Sequence, residues 1–332
     1  MTKITSAALK KALNQIGAEQ LKHPGASSPI AARDAALQEN RRASERMISE
    51  ALRGAGLDLK KYKALQEARG KVLQRVVAEH RSQALRLASK RRAARRSGVV
   101  EQAKALQKLA LAGGFFPHPS FSLASPLLIW GIPNTPIYDE AIVPFGSWAK
   151  FKFKTSSLPE QRVGFYFYWT NPYNADALIN AATSFSANGY IQANAPWAFT
   201  SNDCLVVAGA LFNIWLGFPT SDNSTSTSSD YIELGRASAF GTWLGGDTNG
   251  RAISAGLSLS PASPFVVPPG GVVFFEVAMD ISSLIDGGDL EADFQSGDFR
   301  IECPVVVLWV LNTPGFVYPY PVSKPTVNEA PA

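Results

Sequence analysis

Histidine and cysteine are scarce in this 332-residue chain, with 3 His and 2 Cys, and that scarcity removes whole classes of chemistry. The histidines are His23, His80 and His118, so none follows residue 118. A nucleophile paired with a histidine base has no candidate in the rest of the chain. Histidine metal sites fail for the same reason, and Cys204 and Cys303 alone cannot hold zinc. Two cysteines are also too few for a disulfide framework. Both lie in strand-like runs and read as buried free thiols, with one bridge between them as the alternative. No GxxxxGK(S/T) or strand-linked GxGxxG occurs, so nucleotide-binding loops are unsupported. No apolar run approaches the roughly 18 residues of a membrane span, and the first ten residues lack the apolar core of a secretory leader. The expectation from these absences is a protein without catalysis or a required cofactor. It would be made in the cytoplasm or assembled into a virion-like particle.

The first third also lacks tryptophan. All seven Trp (130, 148, 169, 197, 215, 243 and 309) lie after residue 112. Charge divides at the same place. Residues 1–112 hold 24 Lys and Arg against 9 Asp and Glu, a net of +15, and the remainder holds 8 against 18, a net of −10. A basic half joined to an acidic half points to a polyanionic partner for the basic one.

Helical spacing marks the basic half. Ile4, Ala8, Leu9, Ala12, Leu13 and Ile16 fall on one face, thin enough to predict a helix that depends on a partner. Pro24-Gly25 breaks the chain. Ser28 then caps a helix that opens on Pro29 and runs to Arg53, where Gly54-Ala-Gly56 stops it. Asp58 caps the next helix, whose apolar stripe is Leu65, Ala68, Val72, Val76, His80, Ala84 and Leu87. The short loop between these two helices predicts an antiparallel hairpin. His80 has no second ligand at helical spacing and reads as an edge-of-core residue. After Leu87 the stripe fails and charge surrounds the helix at Lys90, Arg91, Arg92, Arg95 and Arg96. With Arg81 and Arg86 these form a candidate nucleic-acid-binding band. The spacing predicts a third short helix over 99–112.

Residues 113–146 carry six prolines and read as an extended connector, with one short edge strand at 127–130. From Ser147 the period becomes two. Ala149, Phe151 and Phe153 alternate with three lysines; Val163, Phe165, Phe167 and Trp169 follow. Asn188-Gly189 is the clearest hairpin signal. Further strands are expected at 204–218, 231–244, 252–259, 272–281 and 299–311. The fold class is therefore segregated α+β: a basic helical hairpin or arm over 1–112, then an antiparallel β-sandwich over 147–312, jelly-roll-like or Ig-like in wiring. A Pro-rich tail over 313–332 reads as disordered.

Two weaker constellations remain. Asp286-Gly-Gly-Asp-Leu-Glu-Ala-Asp293 places Asp286, Asp289, Glu291 and Asp293 on a Gly-rich turn. Hard oxygen ligands of that kind suit calcium, and the same carboxylates could serve a glycoside-acting enzyme. Tyr173, Trp197 and Trp243 lie near loops and could stack on a glycan.

The layout of an Arg-rich arm joined to a β-sandwich resembles that of jelly-roll coat proteins. It is a likeness of layout, carried by no sequence motif. It implies a structural protein that self-assembles and whose arm meets packaged nucleic acid. The alternative is a glycan- or protein-binding sandwich head on a helical oligomerisation stalk.

Overall fold

Alternation of inward apolar and outward polar residues is the pattern of a strand with one buried face. A computed structural model describes residues 5–22, 46–47, 50–56, 58–111, 120–132, 135–156, 160–198, 202–218, 228–242, 245–261 and 264–311. Side chains are described for these residues except 16–22, 91–111, 120 and 160. The alternating stretches form β4 (Ser147–Thr155), β5 (Glu160–Thr170), β6 (Ala177–Ala195), β7 (Asn202–Leu216), β8 (Ser228–Gly241), β9 (Asp247–Leu259), β11 (Val272–Asp286), β12 (Asp289–Phe294) and β13 (Arg300–Val310). Shorter strands are β1 (Ser120–Leu123), β2 (Leu128–Ile132), β3 (Ile137–Ala141) and β10 (Phe265–Val267).

All the strand ladders are antiparallel and fall into two sheets. One runs β1-β13-β4-β12-β6-β10, with β3 added to β4 and β9 to β6; the other runs β2-β5-β11-β7-β8. Phe151, Phe185 and Ile191 of the first sheet share a single core with Phe165, Phe212 and Val277 of the second. β12 and β13 both pair with β4 and β6, and so form one interrupted line, with β1 added beside the far half of β13. If that line counts as one strand, the principal strands number eight, from β4 to β13. Their order is 1-8-3-6 in the first sheet and 2-7-4-5 in the second.

Among the described residues, the helices with both ends described are α1 (Ser6–Lys22) and α2 (Leu59–Leu111), and residues 46–47 and 50–54 are helical as well. Asp58 caps α2 as its sequence position predicts, accepting from the Lys60 and Lys61 amides at 3.0 and 3.1 Å. The stripe of α1 is thin, but its partner is within the chain. Leu9 and Leu13 are buried on Tyr166, Trp215 and Phe274, on the outer face of the second sheet. β11 is buried at nine of its first ten positions, where a wet outer face would show alternation. On that face α1 covers Phe274, and Glu276 and Asp280 are taken up by Tyr166, Asn213 and Arg162. Among the described residues no helix is long and apolar enough to cross a membrane.

Several sequence expectations are corrected. Asn188-Gly189 makes no hairpin; it lies inside the 19-residue β6. A Cβ at Gly189 would overlap the buried ring of Phe294, so the glycine serves close approach, not a turn. Gly189→Ala should cost about 1–3 kcal/mol by overpacking, read as a lower urea midpoint; an unchanged midpoint would show that the ring yields freely. The acidic "turn" is strand β12, with Asp289, Glu291 and Asp293 alternating with Leu290, Ala292 and Phe294. The Pro-rich connector contributes β1, β2 and β3, all at sheet edges, where a missing amide donor breaks no ladder. The separate third helix is absent, because α2 continues through Gly98 to Leu111. One glycine inside a helix costs only about 1 kcal/mol. The partner helix of the expected hairpin lies mostly outside the described residues, as does the tail from 312 onward. Cys204 and Cys303 are buried and unbridged. Burial pushes the Cys303 thiol up to about 12, which makes it unreactive at neutral pH.

Candidate functional site

The polar face of β4 carries Lys150, Lys152 and Lys154, and the polar face of its neighbour β12 carries Asp289, Glu291 and Asp293. Pairing sets Glu291 opposite Lys154 and Asp293 opposite Lys152. Each of these lysines reaches diagonally to the next carboxylate: Lys152 Nζ lies 3.0 Å from Glu291 Oε1, and Lys154 Nζ lies 3.3 Å from Asp289 Oδ1. Lys150 Nζ donates to the Gly297 carbonyl at 2.9 Å. On the other side of β12, Asn194 Nδ2 of β6 donates to Asp289 Oδ2 at 3.1 Å.

Helix α2 closes over this charged seam. Its Arg81 guanidinium lies 2.8 Å from Glu291 Oε1 and also pairs with Asp293 Oδ2. Asp293 is 1% exposed. Its Oδ1 accepts from the Gln295 and Ser296 amides at 3.0 and 2.9 Å, and its Oδ2 accepts from Ser296 Oγ at 2.6 Å. Burial alone would push the Asp293 carboxyl up. The hydrogen bonds from Ser296, the Gln295 amide and Arg81 outweigh burial and hold it below the ordinary carboxylate range. Beside the ion pairs, Val77, Ala84 and Ala88 bury against Tyr190 and Phe299. The groove along the seam, about 390 Å³, is lined by polar and charged chains that include Gln74, Arg81, Lys154, Asp289 and Glu291.

The docking face of α2 is therefore not the stripe expected from its sequence. Leu65, Val72, Val76 and Leu87 point outward, with Leu65 64% exposed, and His80 is exposed as well. Only Ala84 of that stripe is buried. The real face is small side chains, Val77, Ala84 and Ala88, packed on Tyr190 and Phe299 beside the Arg81 ion pairs.

The expected nucleic-acid residues separate into two groups. Arg81 faces the sandwich and neutralises its acids. Arg86 and Lys90 are exposed on the far side of α2. Arg91, Arg92, Arg95 and Arg96 continue the α2 backbone, with side chains outside the described residues. The expected calcium ligands also separate. Asp286 is exposed at the end of β11, in the other sheet, while Asp289, Glu291 and Asp293 are each matched by a cation. Among the described residues no cluster of three His, Cys, Asp or Glu could hold a metal ion.

Of the glycan-stacking candidates, Tyr173 is 8% exposed and packs in the core, 6.5 Å from the Phe121 ring, which removes it from the surface. Trp197 is half-buried and meets Tyr62 of α2 edge-on at 6.3 Å. Trp243 lies outside the described residues. The members of this charged seam that the sequence analysis did not single out are Lys152, Lys154 and Asn194. The Lys-x-Lys-x-Lys and Asp-x-Glu-x-Asp alternations were a readable signal for two strands but not for their adjacency.

No family model and no curated protein matches the chain. Among solved structures it is similar to the enzymatically active domain of tailspike protein 4 from bacteriophage CBA120, with 9% identity, TM-score 0.20, and coverage of 58% of this chain and 19% of that one. The Podospora anserina GH26-CBM35 β-(1,4)-mannanase matches at 8% identity and TM-score 0.20, over 60% of this chain and 29% of that one. The infectious bursal disease virus Gx strain structure matches at 14% identity and TM-score 0.15, over 56% and 38%. This chain thus spans less than a third of the first two. TM-scores this low bear on neither fold nor function.

Proposed function

We propose that the chain is a non-enzymatic, coat-like structural protein that assembles with copies of itself and holds nucleic acid through its basic helix. What supports the reading is one juxtaposition. The strand order 1-8-3-6 facing 2-7-4-5 supports jelly-roll wiring, which capsid, lectin and cupin domains use alike. A 53-residue helix with 15 Lys and Arg against 3 Asp and Glu is joined to it. Lectins and cupins need no such helix, whereas a shell protein needs a cationic element to neutralise the polymer it encloses. The sandwich half of the chain is acidic, so its own surface repels nucleic acid and leaves that role to the helix.

Size-exclusion chromatography of natively purified protein, with absorbance at two wavelengths, tests this directly. The expected result is a megadalton particle that carries nucleic acid. A small oligomer free of nucleic acid would overturn the proposal. If that oligomer also bound a glycan array, and lost binding on Trp197→Ala, the protein would be a glycan-binding head.

A further inference from the structure

The docking geometry of α2 sorts its cations by face. At about 100° per residue, Gln66, Val77, Ala84 and Ala88, all buried, fall within about 40° of one another around the helix axis. Lys71, Arg75, Arg86 and Lys90 fall within about 100°, centred roughly opposite. All four are exposed and none appears in an ion pair among the described residues; Glu79, four residues after Arg75, is the one acid on the same face. Arg81 is the exception, turned inward and held by Glu291 and Asp293.

We infer that this outward face, Lys71, Arg75, Arg86 and Lys90, binds the phosphate backbone of double-stranded nucleic acid, with Arg81 excluded from the contact. The inference rests on the polyanion reading above and adds the residues and the strandedness. From Lys71 to Lys90 the helix rises about 28 Å. That length faces about eight successive phosphates of one duplex strand. Proteins that grip single strands interleave cations with Phe, Tyr or Trp on which bases stack. α2 has one such residue, Tyr62, and it is engaged with Trp197 beside the sandwich. The face therefore offers charge at fixed spacing and nothing for a base, which favours a regular duplex backbone over unpaired bases.

The exposed Leu65, Val72, Val76 and Leu87 run beside the cations and raise a second occupant, an anionic lipid surface. Interfacial helices owe their binding to apolar area as well as charge. Four aliphatic side chains spread over about 33 Å of helix give little of it.

Fluorescence anisotropy of the full-length protein with a labelled 24-base-pair duplex, titrated across salt, provides the test. Lys71→Gln, Arg75→Gln, Arg86→Gln and Lys90→Gln combined should flatten log K against log salt by about 3–4 units, since each phosphate contact contributes roughly 0.9. A fourfold rise in salt then costs the wild type about 100-fold more affinity than the variant. Arg81→Gln should leave the slope unchanged, and the duplex should bind more tightly than a single strand of the same length. An unaltered slope in the quadruple variant, with helicity intact by circular dichroism, overturns the inference. So does equal affinity for the single strand, or loss of binding to vesicles containing phosphatidylserine while duplex binding persists. Light scattering on the same samples keeps this apart from the coat reading. Particles that form but bind no duplex through this face sink the inference alone. Duplex binding by a protein that never assembles sinks the coat reading alone.

Discussion

Asp293→Ala is expected to lower the stability of the protein by about 3–5 kcal/mol, the range for removing one partner of a buried ion pair. The carboxylate is 1% exposed and carries two loads at once. One oxygen takes the Gln295 and Ser296 amides, which fixes the interruption between β12 and β13. The other takes Ser296 Oγ and Arg81, which fixes α2 to the sandwich. Asp293→Asn separates the loads. An amide oxygen can still accept from the two backbone amides, but one of the two charges that hold Arg81 is gone and only Glu291 remains. The Asn variant should therefore lose less stability, while its α2 amides exchange hydrogen faster between Leu59 and Lys90. Urea unfolding gives the first number and hydrogen exchange the second. Equal protection of α2 in wild type and Asn variant would show that Val77, Ala84 and Ala88 suffice to hold the helix.

Acid should mimic the Asn variant. The folded carboxyl of Asp293 is held below its unfolded value, so its contribution is fully present above the unfolded value of about 4. It fades as pH falls through the lower folded value. Hydrogen-exchange protection of α2 should thus be flat through neutral pH and fall only below about pH 4. In the Asn variant this acid limb should be shallower.

The sandwich was legible in the sequence because its signals are local. Lys150-Phe-Lys-Phe-Lys154 and Val163 to Trp169 declare their faces within one strand, and Asp58 declares a helix start within one turn. The docking face of α2 was not legible. Burial there depends on surfaces more than 100 residues away in sequence, where Tyr190 and Phe299 stand beside the carboxylates Glu291 and Asp293. A helix meeting such surfaces needs an arginine and small side chains, not leucines, so the apolar periodicity pointed to the wrong side. Asn188-Gly189 misled for a related reason. The dipeptide is suited to a turn, but the Phe294 ring across the ladder made the missing Cβ the decisive property. The strand order needed the full set of pairings, because β12 and β13 share a line only in three dimensions.

The row that seats α1 should prove as sensitive as the seam beneath α2. Tyr166 of β5, Glu276 of β11 and Asn213 of β7 stand directly opposite one another across the second sheet. The Glu276 carboxylate, 1% exposed, accepts from Tyr166 Oη at 2.6 Å, Asn213 Nδ2 at 2.8 Å and Arg162 Nη1 at 3.5 Å. Arg162 also donates to Asp280 Oδ1 at 3.2 Å. Removing the carboxylate leaves a buried phenol, a buried amide and half of a guanidinium without acceptors. Glu276→Ala should therefore cost about 3–5 kcal/mol. Glu276→Gln retains one oxygen acceptor and should cost less, about 1–3 kcal/mol. Tyr166 supplies an independent readout. Burial first, and then the neighbouring Glu276 charge, push its phenol well above the ordinary tyrosine value. A group raised in this way stabilises the fold below its unfolded value, near pH 10, and stops doing so as pH climbs towards the folded one. Wild-type protein should thus weaken in alkali as unfolding releases Tyr166 to ionise. In Glu276→Ala the coulombic part of that shift disappears, so the alkaline loss should still begin at the unfolded value but end at a lower pH and be smaller in total. A Glu276→Ala protein with wild-type urea midpoint and wild-type alkaline limb would mean that the row is not what joins β5, β11 and β7 beneath α1.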